Sequence, residues 1–355
     1  MRKSGIANLP LHPGKAPAWL FKRMVKLSRE LSSIIIDEYG QKEFLNRIAD
    51  PYFFQSFSCV IGFDWHSSGV TTTTCGALKM SLTMQEHGLA VCGGKGKTSR
   101  KTPDEIRSLE LKNTQDLVYA SRMSAKVDNS LIQDDYQLYH HCFFVTERGQ
   151  WAVVQQGKHN YSTYARRYHW ISGKIKSFVE EPQNAICCDE KKDKVLDMTA
   201  KKSKEIRKIS VDLVRDNCFA RQRTLTEYQK PFSVLNMKPE HPVYLKDLHK
   251  SSAESLRKAY EIQPKNYEEL VSLKGVGPKT IRALALISEL VYGEKASWRD
   301  PAKYSFTVGG KDGYPYPVNK AHYDGVISCL KDSIQQARLG DKDRQYAIKR
   351  LKEFI

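Results

Sequence analysis

The segment Leu273-Lys274-Gly275-Val276-Gly277-Pro278-Lys279-Thr280 constrains the fold more tightly than any other stretch of this chain. It lies between a short helical run, residues 267–273, and a longer one in which Ile281, Leu284, Ile287 and Val291 recur at helical spacing. Gly275 and Gly277 let the backbone turn sharply, and Pro278, which lacks an N–H, suits the first position of the second helix. Val276 is placed to plug the space between the helices. The spacing predicts a tight corner whose second helix aims its first amides outward, where an anion is welcome.

This corner resembles the helix-hairpin-helix motif, which holds nucleic-acid phosphate and reads no base sequence. Charge agrees with such a partner. Of the 355 residues, 57 are Lys or Arg against 40 Asp or Glu, a formal net charge of +17. With 40% hydrophobic and 10% aromatic residues, that charge belongs to a folded body and not to a disordered polyelectrolyte. A basic globular surface draws polyanions, so the expected partner is DNA, duplex or structured, with RNA open as the alternative polymer.

No run approaches the roughly 18 apolar residues of a membrane span, and no apolar signal region opens the chain. The expectation is a cytoplasmic, nucleoid-associated protein without a membrane partner. Eight cysteines are present, but no CxxC pair has a matching second pair. Neither a zinc site nor a disulfide framework is indicated, and the thiols read as core residues.

Residues 19–39 place Leu20, Met24, Leu27, Leu31, Ile34 and Ile35 on one face of a predicted helix. Residues 53–74, rich in aromatics and ending in Thr71-Thr72-Thr73-Thr74, predict strands and tight turns. A basic glycine-rich loop, residues 93–101, then feeds a helix start. Thr102 is the predicted N-cap, Pro103 its first position and Glu105 the closing member of a capping box. Lys95, Lys97, Arg100 and Lys101 would neutralise a phosphate there. Glu110-Leu111-Lys112 has the ExK spacing of one nuclease class and falls on the helix predicted to start at Thr102. Residues 139–145 and 151–155 flank Thr146-Glu147-Arg148-Gly149-Gln150 as a predicted hairpin.

Candidate chemistry gathers between residues 64 and 170. Asp64, Asp128 and Asp134 are the carboxylates proposed to hold Mg²⁺ or Mn²⁺, ions that prefer oxygen ligands. His66, His140 and His141 are candidate proton carriers. Lys126, Arg166 and Arg167 would offset charge building on a phosphate. Tyr168 and Trp170, interleaved with Arg166 and Arg167, would stack on unpaired bases. Gly275, Val276, Gly277, Lys279 and Thr280 complete the DNA-binding set.

Three functions stay open at this level. One is a metal-dependent nuclease cutting DNA phosphodiester bonds while the helical region grips the backbone. Another is a glycosylase or lyase: helix-hairpin-helix glycosylases carry a Lys at the position matched by Lys279 and an acid at the distance of Asp300, a pair suited to Schiff-base chemistry. The third is a DNA-binding repair accessory without catalysis.

The stretches Gly5-Ile6-Ala7-Asn8-Leu9-Pro10-Leu11-His12, Gly62-Phe63-Asp64-Trp65-His66-Ser67-Ser68-Gly69, Gly93-Gly94-Lys95-Gly96-Lys97 and Ala165-Arg166-Arg167-Tyr168-His169-Trp170 resemble the domain-of-unknown-function 763 family of archaeal and bacterial proteins. The resemblance spans nearly the full length and implies a prokaryotic, chromosome-related role, with no catalytic residues to carry over. The expected fold is α+β: a mixed domain with antiparallel hairpins over 1–178, a charged linker over 179–205, and a mostly helical helix-hairpin-helix domain over 206–355.

Overall fold

The computed structural model describes residues 16–63, 68–159, 164–188, 191–216, 250–302, 320–337 and 340–354. Helix α1 (Ala18–Ile48) buries Met24, Leu27, Leu31 and Ile35, the stripe its spacing predicts. Gly40, at φ +81°, breaks the helical geometry within it, just beyond the predicted 19–39 segment.

Residues 53–74 correct the sequence reading. Residues 53–61 and 68–74 fall in helices α2 (Pro51–Ile61) and α3 (Ser68–Ser81), not in strands. The Asp50 carboxylate accepts from the amides of Tyr52 and Phe53, and Pro51 takes the first helical position. Every residue of α2 is buried, so packing on all sides selects the aromatic residues that local propensity assigns to strands. Thr74 is likewise buried and donates to Ser58 Oγ at 2.9 Å.

After α4 (Met84–His87) come β1 (Leu89–Lys95), α5 (Thr102–Arg107), α6 (Thr114–Ser130) and β2 (Ile132–Gln133). The main sheet continues with β3 (Tyr136–Thr146), β4 (Trp151–His159), β5 (Ala165–Ile171) and β6 (Ala185–Cys187). These pair antiparallel in the order β1-β3-β4-β5-β6. The predicted hairpin is β3–β4, with Val145 opposite Trp151 across the 146–150 loop. A second, two-stranded sheet joins β2 to β7 (Leu196–Asp197). Helices α7 (Lys204–Arg215), α8 (Lys250–Ile262), α9 (Tyr267–Ser272), α10 (Pro278–Tyr292), α11 (Lys320–Gln336) and α12 (Asp341–Phe354) complete an α+β architecture.

Strand alternation divides the interior into two cores. Cys142, Phe144, Ala152 and Val154 face α1, α2, α3, α11 and α12. Phe143, Val145, Trp151 and Val153 face α6 and the helices α7 to α10. The stretch expected as a linker, 179–205, supplies β6 to the sheet and buries Val195, Leu196 and Met198. Its charged Lys191 and Asp193 are exposed while these apolar neighbours pack inward. Among the described residues, helices from α7 onward share both cores with the sheet. Among the described residues, no helix is long and apolar enough to cross a membrane.

Candidate functional site

The 273–280 corner is built as its residues dictate. Asn266 caps α9 by accepting from the Glu269 amide at 2.9 Å, and Leu273 ends the helix in extended geometry. Gly275 then takes φ +92°, where a Cβ would stand 2.2 Å from Ser255 Oγ. Val276 is buried, while Lys274, Gly275, Pro278 and Lys279 are exposed. Gly277 is the N-cap of α10 and no side chain caps this end, so the first amides of a 15-residue helix are not taken by a capping side chain. Thr280 is buried.

Two side chains brace this corner from behind. Lys126 Nζ donates to the Leu273 carbonyl, and Gln133 Nε2 donates to the Pro278 carbonyl at 2.8 Å. Lys126, expected to face substrate phosphate, is half-buried, and its loss of solvent brings its pKa down to about 8.

On the β1 side, Lys95, Lys97, Arg100 and Lys101 are all exposed, on the end of the strand and the 3₁₀ turn that follows. The predicted capping box does not form. Thr102 is the first residue of α5 and its hydroxyl donates to the Ser99 carbonyl at 2.7 Å. Glu105 instead accepts from the Gly93 amide at 2.6 Å and from Lys79 at 2.7 Å. Because α5 has only six residues, its N-terminus contributes little dipole to an anion. Glu110 and Lys112 lie beyond the end of α5, not on it.

The carboxylates are engaged elsewhere. Asp128 is fully buried and accepts from Gln155, from Trp170 Nε1 at 2.8 Å and from Gln183 Nε2 at 2.6 Å. Burial outweighs these donors and pushes its pKa up to about 7. His141 stands in the same network, 2.7 Å from Gln155 Oε1 and 2.9 Å from Ser121 Oγ, and burial pushes it down to about 4. Asp134 accepts from Arg166 at 2.9 Å and Tyr168 at 2.8 Å. Asp64 and His66 lie outside the described residues.

Arg166, Arg167, Tyr168 and Trp170 are fully buried, which corrects their expected role as a stacking and phosphate surface. They sit on β5, paired on both edges by β4 and β6 and covered on both faces. Arg166 grips Asp300 with two bonds, 3.0 and 2.6 Å, and Asp300 also accepts from the amides of Lys192 and Ala302. Burial opposes the Asp300 charge, yet Arg166 and these amides hold its pKa below the ordinary carboxylate value. Arg167 reaches Gln55 Oε1 at 3.3 Å and Thr71 at 3.4 Å on the opposite face.

That face also carries a group the sequence reading missed. Cys75 on α3 meets His140 and Cys142 on β3, with one ligand atom from each within 4.8 Å of the others, and all three are buried. The Cys142 thiol is drawn down to about 5, chiefly by its hydrogen bond with Cys75, whose own proton is held more tightly by burial. The His-x-Cys alternation within a strand was the available signal, since residues two apart share a face. Its partner is sixty-seven positions earlier (142 − 75) and no local spacing announces it.

A family model described as "Protein of unknown function (DUF763)" matches residues 5–318. No curated protein and no solved structure matches the chain.

Proposed function

We propose that this chain, which belongs to the DUF763 family, binds DNA through its sugar–phosphate backbone by a helix-hairpin-helix formed by α9, the 273–277 corner and α10. The observation that carries the reading is the exposed, uncapped start of α10 beside Gly275, with Lys274 and Lys279 in solvent and Val276 locked in the core. Helix-start amides and lysines at one rigid corner suit a phosphate and have no evident use in packing. The net charge of +17 and the exposed Lys95, Lys97, Arg100 and Lys101 offer further contacts along a polyanion.

The catalytic readings draw less support. Lys279 is exposed at the corner, whereas both Asp300 oxygens are held by Arg166 and backbone amides, so a lyase pairing has no geometry behind it. Asp128 and Asp134 spend their oxygens on protein donors and offer Mg²⁺ or Mn²⁺ little.

The test is anisotropy with labelled duplex, flap, single-stranded DNA and RNA across a salt series. DNA affinity that falls steeply with salt, and falls further in Lys274→Glu/Lys279→Glu, is the expected result. Absence of binding to every DNA form, or affinity indifferent to salt, overturns the proposal; stronger binding to RNA moves the partner class. Denaturing gels of the same mixtures, with and without Mg²⁺ or Mn²⁺, read out any strand cleavage.

A further inference from the structure

We infer that Cys75, His140 and Cys142 form a binding site for one soft divalent transition-metal ion of the zinc class. Their three ligand atoms approach one another within 4.8 Å. A tetrahedral zinc ion bound by sulfur and nitrogen holds its ligand atoms roughly 3.5 Å apart, so a small inward adjustment of side chains closes the site. The frame is stiff enough to define it: His140 and Cys142 project from one face of β3, a strand paired on both sides, and Cys75 comes from α3 packed over that face.

A second observation points the same way independently. His140 is 1% exposed, and neither of its ring nitrogens has a nitrogen or oxygen partner, the Cys142 thiol being its polar neighbour. A buried imidazole with only a weakly bonding thiol beside it is costly. Coordination through one nitrogen relieves part of that cost and gives this histidine a reason to be there. His141, its neighbour on the other face, is by contrast bonded through both nitrogens.

The donor set selects the ion. Thiolate and imidazole suit zinc-class metals and disfavour Mg²⁺ and Mn²⁺, which want carboxylate, carbonyl or water oxygens. Cysteines 59, 92, 187, 188 and 329 are also buried, but none falls in such a group among the described residues. On binding, each coordinating thiol gives up its proton to solvent, so uptake is accompanied by acid release. Three protein ligands leave one tetrahedral position for a further donor. The inference does not depend on DNA binding.

The experiment uses untagged full-length protein. Metal content is measured after purification and after reconstitution with Zn²⁺, and the Co²⁺-substituted form is examined by absorption spectroscopy. One equivalent of zinc, with tetrahedral Co²⁺ transitions and a thiolate-to-cobalt charge-transfer band, is expected. Cys75→Ser and Cys142→Ser should lose the ion, while Cys92→Ser and Cys187→Ser keep it. Should the ligand variants fail to fold, the wild-type Co²⁺ spectrum decides alone. Octahedral Co²⁺ without thiolate bands, equal metal content in the Cys75→Ser/Cys142→Ser double variant, or a disulfide joining Cys75 to Cys142 overturns the site.

Discussion

The ammonium of Lys126, on α6, holds the carbonyl of Leu273, the residue that leads into the Gly275–Gly277 corner. A residue 147 positions away thus fixes the backbone on which the proposed phosphate contact depends. Removing it by Lys126→Met leaves that carbonyl without its charged donor, a loss of about 1 kcal/mol in the order of the corner. DNA affinity should fall by roughly fivefold, measured by anisotropy at fixed salt.

Lys126 also sets a pH dependence. Its pKa is lowered to about 8 in the folded protein by burial, so between pH 8 and its ordinary range the unfolded chain binds the extra proton. Stability should therefore rise with pH across that window relative to Lys126→Met. Urea midpoints for both proteins at pH 7.5 and at about 10 check this; parallel curves refute it.

Asp128 works with the opposite sign. Burial raises its pKa to about 7, so the folded state holds a proton that the unfolded state releases near its ordinary value. The stabilisation is complete below the unfolded pKa and is lost as pH climbs through about 7. Asp128→Asn should flatten this decline, and guanidinium unfolding at pH 5 and pH 8 compares the two slopes.

Arg166 joins β5 to the segment beyond α10 through its paired bonds to Asp300 and its bond to Asp134. Arg166→Met strands two buried carboxylates, and the expected loss is about 3–5 kcal/mol. An unfolding free energy within about 1 kcal/mol of wild type would show that this pairing does not bind the two regions together.

Gly275→Ala asks for a side chain at φ +92° against Ser255 Oγ. A cost of about 1–3 kcal/mol and weaker DNA binding are expected, with part of the stability recovered in Gly275→Ala/Ser255→Gly. Equal stability of Gly275→Ala and wild type in thermal melts would mean that the corner is not rigid.

How far the sequence could be read depended on the range of the interactions involved. The β3–β4 hairpin was legible because a turn and two alternating runs lie within one short stretch. Helix α2 was not, because its aromatic residues answer to packing on all sides, although Asp50-Pro51 did carry a helix-start signal. The acids and bases between residues 126 and 170 were recognised as a polar concentration. Their residue types did not tell that Asp128, Asp134 and Arg166 would bond within the protein and leave little for a ligand.

By itself the sequence determined the helix–corner–helix of residues 267–291 and the hairpin of residues 139–155, since glycine, proline and periodicity act between near neighbours. Only the tertiary structure decided that Arg166, Arg167, Tyr168 and Trp170 are interior and that Cys75 meets His140 and Cys142. Strand pairing and helix-on-sheet packing join residues far apart in the chain, and no local pattern of side chains encodes which of them will touch.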